Sequence, residues 1–505
     1  MHRRTFLTSA IGAAVLPGIA NAQTPRKGGV LRLSAPTGIT SFDPATGNSG
    51  DDHMQLYPLY DALIDYDFDT MQPKPGLATA WKFADPKTLV LDLRSGVKFH
   101  DGTDFNAEAV KFNIERSKTS PRSNIKADLG FVESVEVASP MQVVLHLSQP
   151  DAALPLILAD RAGMMVSPTA QKARGDAFDW NPVGTGMMKF VEWRDKERSA
   201  YARNENYWKP ERPYLDGMQF AMISETQTGL RSVITGENDF IYALVPQQLA
   251  VAKRAGNLAT MATPTLASTI IYINSGHGPL SDVRVRKAFN LGLDQDAFNK
   301  ATATGILDHA DTLLPKEHWA YDRAHPRSYP YDPGKARQLL KEAGYADGVE
   351  LTLLAFSDQL SQQRVEVLIE QLKPAGIRLK VTSGSLPEQA AAYFGKKQGD
   401  LLLAGWTGRP DPTLSYTLMF SKGGYFNPGG AETPGLEAAL AATRASPAQD
   451  ARISAFAEVQ RIVYENQLYA PLLFQSQIVA YANKVQGYRP TLLGKPRFDD
   501  VWVNA

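Results

Sequence analysis

The chain has 505 residues, 43% of them hydrophobic and 21% charged, which is ordinary for a folded protein and leaves room for two or three domains. Its 53 basic and 53 acidic residues cancel, so no basic excess marks nucleic acid as a partner. There is no cysteine, which excludes thiol catalysis, disulfides, Cys-ligated metals and a lipid anchor carried on a cysteine.

Residues 1–22 read as a secretory signal peptide. They offer a cationic start, an apolar run from Ala10 to Ala20, and small residues at Ala20 and Ala22 just before Gln23. Arg3-Arg4-Thr5-Phe6-Leu7 has the twin-arginine pattern, and an ordinary Sec leader is the other reading. Cleavage after Ala22 removes two arginines and no acid, leaving 51 basic against 53 acidic residues. No later apolar run approaches the ~18 residues of a membrane helix. The mature protein is therefore expected to be soluble and exported.

Leu89–Arg116 reads as a strand, a Gly turn, a polar loop and a helix. Leu89, Leu91 and Leu93 alternate, and Asn106 is placed to cap a helix carrying Ala109, Phe112 and Asn113 on one side. Met187–Trp193 and Ser199–Arg203 flank a charged turn and read as a hairpin. Asp282 is placed to cap a helix with Val285, Ala288 and Phe289 on one face. Asp332–Tyr345 is the clearest helix. Asp332 caps it, Pro333 opens it, Gly344 stops it, and Ala336, Leu339, Leu340 and Ala343 form its apolar stripe.

Val349–Phe356 is a near-continuous apolar strand. A helix with Val365, Leu368, Ile369 and Leu372 at helical spacing follows and ends near Gly376, and Ile377–Thr382 alternates as a strand. Strand, helix, strand without a hairpin turn predicts parallel pairing. A third helix around Pro387–Gly395 leads to a further strand, Asp400–Trp406, so this region is a lobe of α/β type. A long helix after Ser446-Pro447 turns Phe456, Val459 and Val463 inward.

Ligands of open α/β sheets sit outside the carboxyl ends of the strands. The loop Thr407-Gly408-Arg409-Pro410-Asp411-Pro412 is thus a candidate site on physical grounds. Arg409 stands between two residues that restrict the backbone, and a guanidinium there suits a carboxylate or phosphate. The other reading is a structural ion pair with Asp411 or with an acid on another lobe.

Gly96–Val110, GVKFHDGTDFNAEAV, closely resembles the GVKFHDGTPFTAEDV signature of the family 5 extracellular solute-binding proteins. Further segments in the same order resemble that family: Leu77-Ala78-Thr79-Ala80-Trp81, Gly184-Thr185-Gly186, Asn206-Tyr207-Trp208, Asp282–Phe289 and Tyr331–Leu340. The resemblance implies a periplasmic receptor of an ABC importer for peptides, nickel, opines or oligosaccharides. It implies an α/β, two-lobed periplasmic-binding-protein fold, type II-like and of cluster C, with an extra subdomain inserted in lobe I. Lobe I would comprise residues 23–65, 177–266 and 476–505, with the inserted subdomain at 66–176. Lobe II would be 267–475. A monomer, an inner-membrane permease as partner and no cofactor are expected.

Dipeptide receptors of the family carry WTGDxGDP, whose first Asp takes the peptide amine. Here Arg409 stands in that place, so an anionic ligand such as an opine-like conjugate, an acyl amino acid or an acidic peptide is the better fit. Asp411 aligns equally with the family's downstream Asp-Pro, a structural role. Further candidates are Trp406 for stacking, Tyr425 and Asn427 in a glycine-rich loop, and Ser49 and His53 after the Asp43-Pro44 element. Met165 before Ser167-Pro168 and Tyr272 and Asn274 on an interlobe strand complete the set, each with core packing or hinge bracing as its alternative.

The eight histidines are scattered, and no pair has the i,i+4 spacing of a helical metal site, so no metal is expected. The chain has no G-x-S-x-G, no H-E-x-x-H and no Walker loop, which disfavours an exported enzyme. A sensory receptor without an import role is the remaining rival.

Overall fold

The computed structural model describes residues 24–504, so the leader read at 1–22 lies outside them. Ten strands form one mixed sheet through both lobes. From edge to edge they are Ile377–Gly384, Val349–Phe356, Leu401–Trp406, Leu258–Ile273, Tyr469–Ala482, Phe240–Ile241, Val30–Ala35, Gly217–Met222, Arg198–Arg203 and Met188–Arg194.

Two long strands join the lobes. Leu258–Ile273 and Tyr469–Ala482 have 16 and 14 residues and pair antiparallel. Their register shifts between Pro264 and Ser268. Pro264 has no N–H to give to a ladder, which favours such a break. There the Leu266 N–H donates instead to Leu492 O at 2.8 Å, and Thr265 Oγ1 donates to Gln475 O at 2.8 Å.

The C-terminal lobe follows the sequence pattern closely. Val349–Phe356 pairs parallel with Ile377–Gly384 and with Leu401–Trp406. Helix Pro333–Glu342 is capped by Asp332 Oδ1, which accepts from the Lys335 N–H at 2.8 Å. Side chains alternate across the sheet. Ile271, Leu353 and Leu403 pack with Val285, Phe289, Leu340 and Leu368 on one side. Ile270, Tyr272, Leu402 and Trp406 join the larger core on the other. The helix expected around Pro387–Gly395 starts as Leu386–Ala390 and ends in a wider π turn, Ala391–Gly395.

A second, antiparallel sheet has the strand order Ala78–Asp85, Thr88–Leu93, Gln142–Leu147, Val132–Ser139. All four strands lie inside the 66–176 stretch expected as an insertion. Helix Ala107–Thr119 covers this sheet, and Asn106 Oδ1 caps it by accepting from the Ala109 N–H at 3.0 Å. The signature loop is tied to the Gly184–Gly186 turn through His100. Its Nε2 lies 3.0 Å from Gly186 O, and its Nδ1 accepts from the Gly184 N–H at 3.3 Å. Burial pushes this ring down to about 4, which keeps it in the neutral form those bonds need. A side chain at Gly184 would stand 2.1 Å from Leu59 O, so only glycine fits there.

Candidate functional site

The loop after Leu401–Trp406 runs hard against the break in the long strands. Gly408 has φ +69°, and a Cβ on it would lie 2.4 Å from Leu266 Cβ. This glycine lets the loop pass the strand and delivers Arg409 half-buried just beyond it. Among the described residues no hydrogen bond or ion pair takes the Arg409 guanidinium. Its charge acts on Asp128, from the inserted stretch, and on Lys495, near the C-terminus.

Asp411 does not join Arg409. Both its oxygens lie 2.8 Å from Arg452 Nη2, and Oδ1 accepts from the Thr413 N–H at 2.9 Å, capping helix Pro412–Phe420. It is 1% exposed, so its acid is consumed inside the protein. Met165 is fully buried in the larger core.

A second group of expected residues gathers elsewhere. Tyr272 meets Phe394 edge-on at 5.3 Å, and Trp406 meets Phe426 edge-on at 5.3 Å. Tyr425 is 57% exposed and leans on Phe394 and Phe426. Asn427 folds its own loop, donating to Ser421 O at 3.0 Å. Asn274 is buried, with Nδ2 at 2.8 Å from His277 Nε2. The space among Tyr272, Phe420, Phe426 and Asn427 is about 10 Å³, room for a water at most. Tyr272, Trp406 and Asn274 are thus packed inside the lobe, and Tyr425 stays exposed on its surface.

Ser49 and His53 flank a cavity wall made by Gly50, Asp51 and Met54. A cavity of about 440 Å³ opens between the Gly50–Met54 turn, the Tyr242–Pro246 loop, the strand break at Thr265 and Ala267, and Thr302, Leu307 and Leu360 of the C-terminal lobe. That volume falls in the range of small-molecule sites. Ser49 starts the turn, where its Oγ accepts from the Asp51 N–H at 3.2 Å. Arg161 fixes the turn, bonding Ser49 O and lying 3.0 Å from Asp52 Oδ2. His53 is buried behind it, with Nδ1 at 3.0 Å from Gly50 O and Nε2 against Asp160 Oδ1.

Lys495 lines the cavity beside this group. Its Nζ lies 3.1 Å from His53 Nε2 and 3.8 Å from Asp160 Oδ2. Burial pushes the Lys495 ammonium down to about 8, with Arg409 and Arg161 adding repulsion and Asp160 and Asp51 opposing it. Burial opposes charge on Asp160 too, yet Lys495, His53 and Arg161 hold that carboxyl well below its usual range. Burial pushes Asp128 up to about 6, although Arg409 pulls it down.

At the cavity's C-terminal-lobe wall stands Arg364, on helix Gln359–Leu372. Its Nε is buried without a hydrogen-bond partner among the described residues, and burial lowers its pKa. Lys495, Asp128 and Arg364 had no motif around them. Arg364 follows Gln362-Gln363 on a helix read only for its apolar stripe. Only the fold brings Lys495 and Asp128 into the field of Arg409 and Arg364 to the cavity wall.

The profile of the "Bacterial extracellular solute-binding proteins, family 5 Middle" matches residues 72–427. The glutathione-binding protein GsiB of Salmonella typhi is 29% identical over 465 residues, covering 89% of this chain and 90% of that protein. Among solved structures, the ABC transporter-associated periplasmic binding protein DppA from Helicobacter pylori, in complex with peptide STSA, superposes with a TM-score of 0.81. It is 23% identical and covers 95% of this chain and 99% of its own. The binding protein AgaA from A. tumefaciens R10, in complex with agropinic acid, gives a TM-score of 0.78 at 21% identity, covering 94% and 99%.

Proposed function

This chain belongs to the family 5 bacterial extracellular solute-binding proteins, and from that premise we propose that it is the periplasmic solute receptor of an ABC importer, specific for a small, anionic, peptide-like solute. The solute occupies the cavity of about 440 Å³, with its anionic group at Lys495, whose ammonium lies within the field of Arg409. What carries this reading is the free guanidinium of Arg409, half-buried in the loop after Leu401–Trp406 and taken by no partner among the described residues. A preformed cavity with a few placed polar groups is all that such binding requires. No covalent chemistry is needed.

Glutathione, bound by the Salmonella relative according to its name, is a first solute to try. It is a peptide with two carboxylates and suits the chemistry of the cavity. Agropinic acid, the ligand named for AgaA, is likewise an acid.

Capture works by lobe closure. The closing contacts include Arg444 to Asp151, where Nη1 donates to Oδ1 at 2.6 Å, and the Ala152 N–H donating to Arg444 O at 3.0 Å. The break in the two long strands is the place where the backbone bends. The twin-arginine leader, residues 1–22, fits export of the folded chain before it meets the permease.

The test is calorimetric titration of ligand-stripped protein with glutathione, acyl amino acids, opines and acidic and neutral dipeptides, with small-angle scattering alongside. A bound anion that shrinks the radius of gyration and is lost in Arg409→Ala supports the receptor and its ligand class. A neutral or cationic solute that binds Arg409→Ala as well as the wild type keeps the receptor and removes the ligand class.

A further inference from the structure

The cavity has a cation that the Arg409 and Lys495 end does not explain. Arg364 lines it from helix Gln359–Leu372, beside Thr302, Ala303, Leu307 and Leu360. The one charge that acts on Arg364 is Asp358, and that carboxylate is spent on capping its own helix. Asp358 Oδ1 accepts from the Ser361 N–H at 3.0 Å, and Oδ2 accepts from Ser361 Oγ at 2.6 Å. A guanidinium has five donors and no acceptor. Burying its Nε without a partner costs free energy unless something arrives to accept the bond.

Arg364 and Lys495 enter the cavity from different elements, helix Gln359–Leu372 and the segment 493–496. The rest of the lining includes the apolar residues Leu244, Val245, Ala267, Leu307 and Ile478.

We propose that Arg364 is a second anion-binding residue, so that the solute carries two anionic groups separated by a body that crosses the apolar wall. One anionic group lies at Lys495, within the field of Arg409, and the other at Arg364. This rests on the cavity being the solute site, as argued above, and narrows its ligand to a diacid such as an acidic peptide with two spaced carboxylates. Lobe closure then brings the two cations onto one molecule. Arg364 selects the diacid over a monoacid of the same size, because a monoacid leaves the guanidinium unpaired.

The experiment is calorimetric titration with matched pairs: glutathione against its glycinamide, and suberate against its monoamide. The proteins are the full mature chain as wild type, Arg364→Gln, Arg364→Lys and Arg409→Ala. A charged hydrogen bond made on binding amounts to roughly a ten- to hundredfold change in Kd. The wild type is expected to prefer at least one diacid over its monoamide by that factor. Arg364→Gln weakens the diacid more than the monoamide and so lowers the preference, Arg364→Lys restores part of it, and Arg409→Ala weakens both members of the pair alike. The melting temperature of ligand-free Arg364→Gln stays at or above that of the wild type, since no bond is lost, which separates ligand contact from a structural role. Equal binding of diacid and monoamide by the wild type, with Arg409→Ala still weakening both, overturns the second anion site and leaves the receptor reading standing. Binding of neither member of either pair overturns both.

Discussion

Asp411 lies two residues beyond Arg409 in one loop, yet its carboxylate belongs to Arg452, with both oxygens 2.8 Å from Nη2. The pair is buried on both sides, and Arg452 Nε also donates to Thr443 O at 2.9 Å. The loop is therefore anchored by its second charge and leaves its first one free.

The anchor predicts a stability defect. Arg452→Met strands the Asp411 carboxylate in the core, and breaking a buried pair in this way costs about 3–5 kcal/mol. Chemical denaturation of wild type and variant measures it. An Arg452→Met protein as stable as the wild type would show that the pair does not hold the loop.

Arg409→Ala is expected to behave in the opposite way. It removes no bond within the protein, so the unfolding free energy should stay within the ±0.5 kcal/mol typical of surface substitutions. Affinity for an anionic solute should fall roughly ten- to hundredfold. Denaturation and titration on the same preparation separate the two effects. A variant that unfolds early and binds normally would make Arg409 a structural residue.

These two residues also mark how far the sequence could be read. The C-terminal lobe was legible because its helices and strands carry strong local signals. Asp332 caps as its position demands, and Val349–Phe356 appears with the bounds its apolar run suggested. The place of Arg409 after a parallel strand was legible for the same reason. The charges around it and across the cavity were not, because Asp128, Lys495 and Arg364 come from segments far apart in the chain that carry no motif. Trp406 and Tyr272 were ambiguous by nature. A strand-end aromatic can point to either face, and here alternation sends both into the core. Met165 follows the same logic of burial.

Binding of the anion should depend on pH through Lys495. Its pKa is about 8 in the folded protein against 10.5 when unfolded. The unfolded chain therefore holds an extra proton between about 8 and 10.5, and this group makes the protein more stable as pH rises through that window. Anion binding runs the other way, since it needs the ammonium. Affinity should fall as pH rises through about 8, and binding at pH 8 should take up protons. Titration in two buffers of different ionisation enthalpy measures the uptake, and Lys495→Met should abolish it. A flat affinity from pH 7 to 9.5 would remove Lys495 from the anion's end of the cavity.

Asp128 gives the sharpest distinction between kinds of acidic solute. Burial raises its pKa from 3.8 to about 6, so between those values the folded protein holds a proton that the unfolded chain has lost. Its contribution to stability thus declines as pH rises through that window. Above about 6 it is a carboxylate within the field of Arg409, and the two act on a bound solute with opposite sign. Asp128→Asn should tighten binding of an N-acylated acid by removing a repulsive charge. The same substitution should weaken binding of an acid with a free α-ammonium, which has lost its counter-charge. Titration of the variant at pH 7.5 with glutathione and with N-acetylglutathione compares these directly. Opposite changes would place the ammonium beside Asp128. Equal tightening of both would mean that Asp128 only competes for Arg409, and that no amine of the solute comes near it.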